Sequence, residues 1–378
     1  MAEPAIQRKF ILSSLESNNN KIWEIEWFPD NTVKTTWGRV GSSTQSKTKP
    51  LSFSGVEALI ASKMREGYKE LELHCPVVVV AAPDGTAIDP KIVQLTDLIM
   101  RAAGNMINSY LSVTVDALSV NQVNRGRTIL KKVVDLRSAS SRQQLLDLIK
   151  EFYNTIPTKL PSRIDPDQIV REFVADLHEQ EDRLDQLEAG LATHTATLSG
   201  QNPLGDVKIK VTSQTSKAYE QVVDYVLRTA GGRLNVRDVF SIEIPNERKA
   251  FATETVGKGN VLSLFHGTRN HNVRHILRTG LIVPITPANG RRMGDGVYFS
   301  DRTQRSLAYC GGHFNQRLMF VADVALGRVW STSGAYAGKH APDGYDSTQG
   351  TGTWSGHGDE FVVYKRSQQT IKYLVLLD

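Results

Sequence analysis

A central stretch with helical periodicity, flanked by strand-like sequence on both sides, most constrains how this chain can fold. From residue 89 to about 203, apolar residues recur every three or four positions, as in KIVQLTDLIMRAAGNMINSYL. Such spacing is typical of amphipathic helices. PDQIVREFVADLHEQEDRLDQLEAGLATHTA reads as one long helix or a helix pair, with Pro166 near its start. The sequence therefore predicts an α+β multidomain protein with an all-α segment in its middle.

The segment before the helices alternates between apolar and polar residues. KIWEIEWF and TVKTTWGRVG read as strands, with PDN as a turn between them, and VEALIASKMREGY reads as a helix. The Pro and Gly residues of CPVVVVAAPDGTA indicate the end of a strand and then a linker. We therefore predict a small β-rich domain over residues 1–85.

The segment after the helices is rich in strand-like runs. They are DVKIKVTS, DVFSIEIP, NVLSLFHG, GVYFSD, RLMFVADVAL, EFVVYK and IKYLVLLD, and KAYEQVVDYVLRTA reads as a helix among them. This pattern predicts a mixed, β-rich domain over residues 204–378, after an all-α domain over residues 89–203.

Composition excludes several classes of protein. The length of 378 residues allows two or three domains. The two cysteines, Cys75 and Cys310, lie far apart without metal-ligand spacing, so we expect no disulfide framework and no cysteine-based zinc site. MAEPAIQRKF lacks the apolar core of a signal peptide, and no segment approaches a membrane span, which predicts an intracellular protein. The net charge of +5 is a mild indication of an anionic partner.

Three polar side chains of the last domain stand where apolar strands begin or end. They are His266 in LFHGT, Tyr298 in GVYFSD and Glu360 in GDEFVVYK. Neighbouring strands of one sheet could bring them into one cleft. Taken singly, each has a plain structural alternative: a turn histidine, a core tyrosine and a solvated glutamate.

The combination of these motifs resembles a known family. His-Gly-Thr, Gly-Val-Tyr-Phe-Ser-Asp, RSLAYC and Glu-Phe-Val-Val-Tyr are similar to the ADP-ribosyltransferase domain of poly(ADP-ribose) polymerases. TWGRVG resembles the signature of the WGR domain, and EFYNTIP is similar to part of the family's helical regulatory domain. The resemblance implies a WGR DNA-binding domain, an autoinhibitory helical domain and a catalytic domain, in that order.

The resemblance implies that NAD⁺ is the substrate and that no metal is required. It also implies a catalytic role for His266, Tyr298 and Glu360. Departure of nicotinamide passes through an oxocarbenium-like state, as in glycoside hydrolysis. A carboxylate bonded to the ribose 2′-OH stabilises that developing charge, which is the role implied for Glu360, together with orienting an incoming hydroxyl. His266 would hold a hydroxyl of the adenosine-side ribose.

The remaining NAD⁺ contacts are also implied by the family match. Gly267 and Ser306 would bind the nicotinamide amide, and Tyr298 and Tyr309 would enclose its ring. Thr268, Asn272 and Asp185 complete the predicted NAD⁺-binding residues.

This chain also departs from the family pattern at several positions. Arg305 stands where the family often has lysine, and Ile282 stands where it often has arginine. Arg291 and Arg292 could meet the NAD⁺ pyrophosphate or be solvated loop charges.

A basic stretch in the first domain predicts contact with nucleic acid. Between Asn31 and Pro50 there are several cations and no acidic residue. Cations in strands and loops suit phosphate contacts, and an aromatic ring can stack on a sugar or base. The predicted DNA-binding residues are Lys34, Trp37, Gly38, Arg39, Lys47 and Lys49. The alternatives are a core tryptophan and a solvated basic face.

The implied function is a DNA-break-stimulated NAD⁺ ADP-ribosyltransferase that builds poly(ADP-ribose). Its partners would be broken DNA and protein acceptors including itself, with no membrane association. The resemblance implies no oligomeric state, and we expect a monomer. It would act in the nucleus of a eukaryote, or in the cytoplasm and nucleoid of a bacterium. The alternatives are a mono-ADP-ribosyltransferase on protein or DNA ends and a catalytically inactive DNA-end-binding scaffold.

Overall fold

A computed structural model describes most of the chain. The described residues are 5–14, 19–39, 43–71, 89–113, 115, 118–137, 142–160, 165–199, 202–256, 259–286, 292–311, 316–336, 338–351 and 358–378. The predicted linker, Cys75 and Arg291 lie outside these ranges. Among the described residues, no helix has the length and apolarity that crossing a membrane requires.

The chain divides into two compact units, and the division does not follow the predicted domains. One unit contains Met1–Val79 and Met106–Leu198, and the other contains Val80–Asn105 and Ser199–Asp378. The predicted β-rich and helical domains thus share a unit.

The first unit contains a five-stranded sheet in which every neighbouring pair is antiparallel. Its strands in spatial order are β4 (Gln45–Pro50), β3 (Thr32–Arg39), β2 (Asn19–Trp27), β1 (Ile6–Ser14) and β5 (Lys69–Leu71). Helix α1 (Phe53–Arg65) packs on one face, where Val56 and Ile60 join Phe10, Trp23 and Ile25 in a buried core. Strand alternation explains this face, because Trp23 and Ile25 lie two positions apart.

The helices of the first unit form a bundle with its own apolar core. They are α3 (Val120–Leu136), α4 (Arg142–Thr155), α5 (Pro166–Ala175) and α6 (Leu177–Leu198). Ser119 begins α3 with a capping box to Gln122, and Asp165 caps α5 directly before Pro166. The last stretch of the helical region is therefore a helix pair. Ile22 of β2 belongs to the same apolar cluster, so the sheet and the bundle are joined through the face of β2 opposite Trp23.

Helix α2 (Pro90–Tyr110) is divided between the two units. Leu95, Leu98 and Ile99 pack in the core of the second unit, whereas Ile107 and Tyr110 pack in the helical core of the first. Apolar periodicity predicted this helix but assigned all of it to the helical domain. Periodicity shows that a helix has an apolar stripe and does not identify what covers each part of the stripe.

The second unit contains a nine-stranded mixed sheet. Its strands in spatial order are β11 (Val329–Thr332), β12 (Ser347–Gly350), β13 (Glu360–Val363), β9 (Val297–Ser300), β8 (Val261–Gly267), β10 (Arg317–Ala325), β14 (Gln369–Leu377), β7 (Val236–Glu243) and β6 (Lys208–Val211). The pair β11–β12 is parallel and the other described pairs are antiparallel. Its helices are α7 (Lys217–Arg228), α8 (Pro245–Glu254), α9 (Val273–Thr279) and α10 (Thr303–Leu307).

The predicted fold class is confirmed, and the predicted strands of the last domain are all present. The short elements β11, β12, α8, α9 and α10 were not predicted. Four to ten residues give too few periods to separate helix from strand, so packing against neighbours decides these segments.

Candidate active site

The three polar residues at strand ends lie on three neighbouring strands of the nine-stranded sheet. His266 is on β8, Tyr298 on β9 and Glu360 on β13, in the spatial order β13-β9-β8. Glu360 pairs with Ser300 across β13 and β9, and Ser300 pairs with Phe265, next to His266, across β9 and β8. Sheet topology therefore brings together residues that are far apart in the chain.

His266 is held by the backbone of the next strand. Its Nδ1 lies 2.8 Å from the carbonyl oxygen of Tyr298. A carbonyl only accepts, so Nδ1 carries the hydrogen and Nε2 of the neutral ring is an acceptor. Burial lowers the pKa of His266, against a smaller opposing effect of the Tyr298 carbonyl. The neutral ring is therefore suited to receive a hydrogen bond from a hydroxyl group.

The hydroxyl of Tyr298 is fixed by the loop that precedes its strand. It donates to the carbonyl oxygen of Gly294 at 2.8 Å and accepts from the amide of Met293 at 3.0 Å. The same loop is bound by Tyr364, whose hydroxyl lies 2.6 Å from the carbonyl oxygen of Met293 and 2.6 Å from Thr348 Oγ1. With its polar tip engaged by protein, the Tyr298 side chain has its ring left to offer a ligand.

Glu360 is buried and ion-paired with Arg305. Arg305 Nη2 lies 2.6 Å and Nε 3.1 Å from the same carboxylate oxygen, Oε1. The two side chains are 10% and 19% exposed, so the pair is largely removed from water. The sequence marked Arg305 as a departure from the family lysine but did not show that it contacts Glu360. Its position one residue before Ser306 was the available signal.

Gly267 lies against the backbone of Ser306 on α10. A Cβ atom on Gly267 would overlap the carbonyl oxygen of Ser306. The family resemblance assigns Gly267 a contact with the nicotinamide amide. The structure supplies a reason within the protein, because the close approach of β8 and α10 requires a glycine. Ser306 is buried and Tyr309, just after the same helix, is 54% exposed.

The segment after Gly267 is tied to the start of β10. Asn270, which was not predicted as a site residue, is buried, and its side chain accepts from the amide of Leu318 at 3.0 Å and donates to the carbonyl oxygen of Gln316 at 2.9 Å. Thr268 and Asn272, both predicted, are joined by a 3.2 Å hydrogen bond from Asn272 Nδ2 to Thr268 Oγ1.

Ile282 and Arg292, two positions where the chain departs from the family pattern, differ in their surroundings. Ile282 is 42% exposed after α9. The backbone of Arg292 accepts from the amide of Tyr336 at 2.6 Å. The roles considered for Arg291 and Arg292 toward a pyrophosphate remain predictions.

Asp185 has an ion-pair partner inside the first unit. Arg127 Nη1 lies 2.6 Å from its carboxylate, and Arg127 Nη2 contacts Glu188 at 2.5 Å. The predicted role of Asp185 at the adenosine ribose therefore rests on the family resemblance alone.

The predicted DNA-binding residues are divided between the two faces of the five-stranded sheet. Trp37 is opposite Trp23 and Gln45, and Lys47 and Lys49 follow on the same face at alternate positions of the exposed strand β4. Arg39, two residues after Trp37, also belongs to this face. Lys34 belongs to the opposite face, where its Nζ lies 2.7 Å from Glu26. Trp37 is half-buried against the apolar core of the sheet.

Gly38 is adjacent to Trp37 and lies close to the loop before β4. A Cβ on Gly38 would lie 3.1 Å from the carbonyl oxygen of Ser43 and 3.1 Å from the Cα of Thr44. Close packing within the protein thus explains this glycine without a ligand.

Comparisons with known proteins agree with this architecture. Residues 216–357 match the family model described as the poly(ADP-ribose) polymerase catalytic domain, and residues 7–73 match the model of the WGR domain. The chain is 29% identical to mouse protein mono-ADP-ribosyltransferase PARP4 over 76% of its own length and 16% of that protein. It is 24% identical to human poly [ADP-ribose] polymerase 2 over 94% of its own length and 71% of that protein.

Relatives named as poly- and as mono-transferases are thus both similar to this chain. It is also 27% identical to chicken poly [ADP-ribose] polymerase 1 over 69% of its length and 30% of that protein. The chain spans less than a fifth of the length of the mouse and human PARP4 proteins. A WGR domain, a helical middle region and a catalytic domain follow one another, and the chain belongs to the poly(ADP-ribose) polymerase family.

Proposed function

We propose that this protein transfers ADP-ribose from NAD⁺ to protein acceptors, releases nicotinamide and is stimulated by broken DNA. The observation that carries the proposal is the arrangement of His266, Tyr298 and Glu360 on three neighbouring strands of the catalytic sheet. The backbone of Ser306 packs against Gly267, the residue next to His266. Family membership supports NAD⁺ as the substrate.

In the proposed reaction, protein side chains and backbone hold both riboses and the nicotinamide of NAD⁺. Neutral His266 accepts a hydrogen bond at Nε2 from a hydroxyl of the adenosine-side ribose. Glu360 accepts one from the 2′-OH of the nicotinamide-side ribose, and this bond strengthens as positive charge develops on the ring. The rings of Tyr298 and Tyr309 stack against nicotinamide, and Ser306 and the Gly267 backbone bind its amide. Protein groups alone supply these interactions, so the proposed reaction needs no metal ion.

Elongation to poly(ADP-ribose) requires that Glu360 also orients the incoming hydroxyl. Both Arg305 contacts go to Oε1. Oε2 is then the oxygen to which a substrate hydroxyl would be assigned. We propose that Glu360 supports chain elongation, with protein acceptors including the enzyme itself.

One observation favours a second candidate, a mono-ADP-ribosyltransferase. Two guanidinium donors engage one oxygen of Glu360, and the planar guanidinium holds its carboxylate more rigidly than a lysine ammonium would. Donor ribose and acceptor hydroxyl would then compete for the remaining oxygen. Arg305 is therefore the residue that separates the two candidates.

We propose that the WGR domain binds the broken DNA and that the helical region regulates access of NAD⁺. The exposed Lys47 and Lys49 suit phosphate contacts. The packing of Ile22 in the helical core supports a physical connection from the DNA-binding sheet to the helices. With DNA as activator, the protein would work in the nucleus of a eukaryote or at the nucleoid of a bacterium.

The deciding experiment measures NAD⁺ consumption with and without short broken DNA duplexes and separates the products on a gel. A DNA-stimulated ladder is expected for the polymerase, and a single band identifies the mono-transferase. Absence of turnover under both conditions would contradict both and leave a DNA-binding scaffold.

Arg305→Lys tests the second candidate directly. If the guanidinium restricts Glu360, the variant should form longer products than the natural chain at equal NAD⁺ turnover. Arg248→Lys is the matched control, because Arg248 pairs with Glu243 at 2.9 Å on the surface. Unchanged product length in Arg305→Lys would remove the argument for the mono-transferase.

A further inference from the structure

The C-terminal end of α7 contacts the segments that carry the proposed catalytic residues. Tyr225 and Thr229 lie four residues apart and therefore on one side of the helix end. Their hydroxyl groups engage protein backbone rather than a ligand position. Neither residue was identified from the sequence.

Thr229 satisfies the first backbone donors of α10. Its Oγ1 accepts from the amide of Thr303 at 3.1 Å, and its carbonyl oxygen accepts from the amide of Gln304 at 3.1 Å. The hydroxyl lies 2.8 Å from the carbonyl oxygen of Tyr225, and 3.0 Å from Thr303 Oγ1. Thr303 is fully buried, so losing its partner would leave a buried donor unsatisfied.

The position of α10 in turn sets two contacts of the site. Arg305, two residues after Thr303, reaches Glu360, and the Ser306 carbonyl abuts Gly267. A helix of five residues has few hydrogen bonds of its own, so its placement depends on such outside contacts.

Tyr225 joins the strand of His266 to the segment before α10. Its hydroxyl lies 3.0 Å from the carbonyl oxygen of Ser263 and 3.2 Å from that of Asp301. Its ring stacks on Phe265 with centroids 4.2 Å apart and an interplanar angle of 26°. Burial raises the pKa of Tyr225 to about 12, which keeps the hydroxyl protonated and able to donate.

Asp301 extends this set of contacts to the strand of Glu360. Its Oδ1 accepts a hydrogen bond at 3.1 Å from the amide of Asp359, the residue directly before Glu360. The end of α7 is thus linked to the segments that carry His266, Arg305 and Glu360 by direct hydrogen bonds or by one intervening residue.

We propose that Tyr225 and Thr229 are positioning residues of the transferase site, which set the placement of α10 and so align Arg305 with Glu360 and Ser306 with Gly267. This inference rests on the proposed function. It assigns the two residues no contact with substrate. Their effect is exerted through the backbone of α10, Asp301 and β8.

Thr229→Val tests the proposal, because it removes the hydroxyl and keeps the branched shape. We expect nicotinamide affinity, measured by calorimetry, and kcat for NAD⁺ each to fall about tenfold, the effect of one lost buried hydrogen bond. Thr229→Ser keeps the hydroxyl and should stay within about twofold of the natural chain in both measurements, since it loses only a methyl group.

Thr255→Val is the matched control. Thr255 also ends a helix, α8, and its Oγ1 lies 3.0 Å from the carbonyl oxygen of Phe251, the same bond to the fourth preceding residue. In the described part of the chain, the Thr255 hydroxyl bonds to the carbonyl oxygens of Phe251 and Ala252, both within α8. The control should keep kcat and nicotinamide affinity.

Two results would overturn the proposal: a folded Thr229→Val protein with unchanged kcat and affinity, or an equal loss in Thr255→Val. If Thr229→Val does not fold, Tyr225→Phe tests the same proposal, because it removes the hydrogen bonds to Ser263 and Asp301. Unchanged kcat and nicotinamide affinity in Tyr225→Phe would contradict the proposal. A natural chain without NAD⁺ turnover would instead overturn the proposed function. The nicotinamide affinities would then still decide whether α7 positions Ser306 and Gly267.

Discussion

At the scale of single residues, contacts with neighbouring protein groups hold Gly267, His266 and Glu360 in place. Gly267 abuts the Ser306 carbonyl, and Glu360 shares one oxygen with two donors of Arg305. His266 has its tautomer set by the carbonyl of Tyr298.

Gly267→Ala should displace α10 and lower the free energy of unfolding of the catalytic unit by at least about 2 kcal/mol, because the added carbon overlaps backbone that cannot rotate away. The rate of nicotinamide release should fall together with the stability. Chemical denaturation measures the first effect. Gly232→Ala is the control, since nothing lies within 4 Å of its added carbon. Equal stability of the two variants would contradict the packing argument.

Lowering the pH should destabilise the catalytic unit through His266. Burial lowers its pKa in the folded protein, so the unfolded chain, with an ordinary value of about 6.5, takes up the proton first. The stabilising contribution is therefore present above pH 6.5 and is lost as pH falls toward the folded pKa. Unfolding free energies of the natural chain and of His266→Gln should converge in that window. Parallel pH profiles would show that His266 does not contribute.

Glu360→Gln should retain the fold and NAD⁺ binding but abolish elongation. The amide keeps an oxygen for Arg305 but leaves a largely buried guanidinium without its counter-charge, so we expect the free energy of unfolding to fall by about 3 kcal/mol. Product gels and NAD⁺ titration give the measurements. Glu243→Gln, which alters an exposed pair with Lys208, is the control. Polymer of natural length in Glu360→Gln would refute the role assigned to Glu360.

At the scale of elements, strand alternation separates cations that look equivalent in the sequence. Lys47 and Lys49 extend along β4 on the face of Trp37, whereas Lys34 points to the other face and meets Glu26. Burial of the Lys34 charge is partial, and hydrogen bonding and charge attraction to Glu26 raise its pKa. A cation already paired with a carboxylate has less to gain from a phosphate.

The double variant Lys47→Ala/Lys49→Ala should bind broken DNA with a weaker dependence on salt. The slope of log affinity against log salt concentration should decrease by about one for each lost phosphate contact, and by less than that in Lys34→Ala. Fluorescence anisotropy at several salt concentrations provides the comparison. Equal slopes for Lys34→Ala and Lys47→Ala would place both faces of the sheet on DNA.

At the scale of the whole molecule, alternate residues of one strand serve two cores. Trp23 packs in the core of the five-stranded sheet, and its neighbour Ile22 packs in the core of the helical bundle. Trp37 is the cross-strand partner of Trp23. A change in the sheet at Trp37 therefore has a short route to the helices within the first unit.

Trp37→Ala should lower stimulation by DNA while leaving DNA-independent NAD⁺ consumption unchanged. Trp27→Phe is the control, because Trp27 also packs against the sheet core and donates from Nε1 to the carbonyl oxygen of Leu51 at 2.9 Å. It should lower stability but keep the ratio of stimulated to basal activity. If Trp37→Ala loses both activities in equal proportion, the tryptophan acts as core alone.

Local patterns were sufficient for the fold class and for most of the longer elements. The catalytic role of His266, Tyr298 and Glu360 came from the family resemblance and stays a prediction. Alternation and helical spacing are visible within a few residues, because they follow from the geometry of one strand or one helix. The short elements α10 and β12 have too few residues to show such a period. They are positioned by neighbours that are distant in sequence.

The sequence by itself determined that two β-rich regions flank a helical one and that the family's motifs occur in order. Only the tertiary structure decided that α2 is divided between two cores, that Gly267 abuts Ser306, and that Arg305 pairs with Glu360 across 55 positions of the chain. The physical reason is that periodicity shows which face of an element is apolar. Which partner covers that face is decided by the packing of all the elements together.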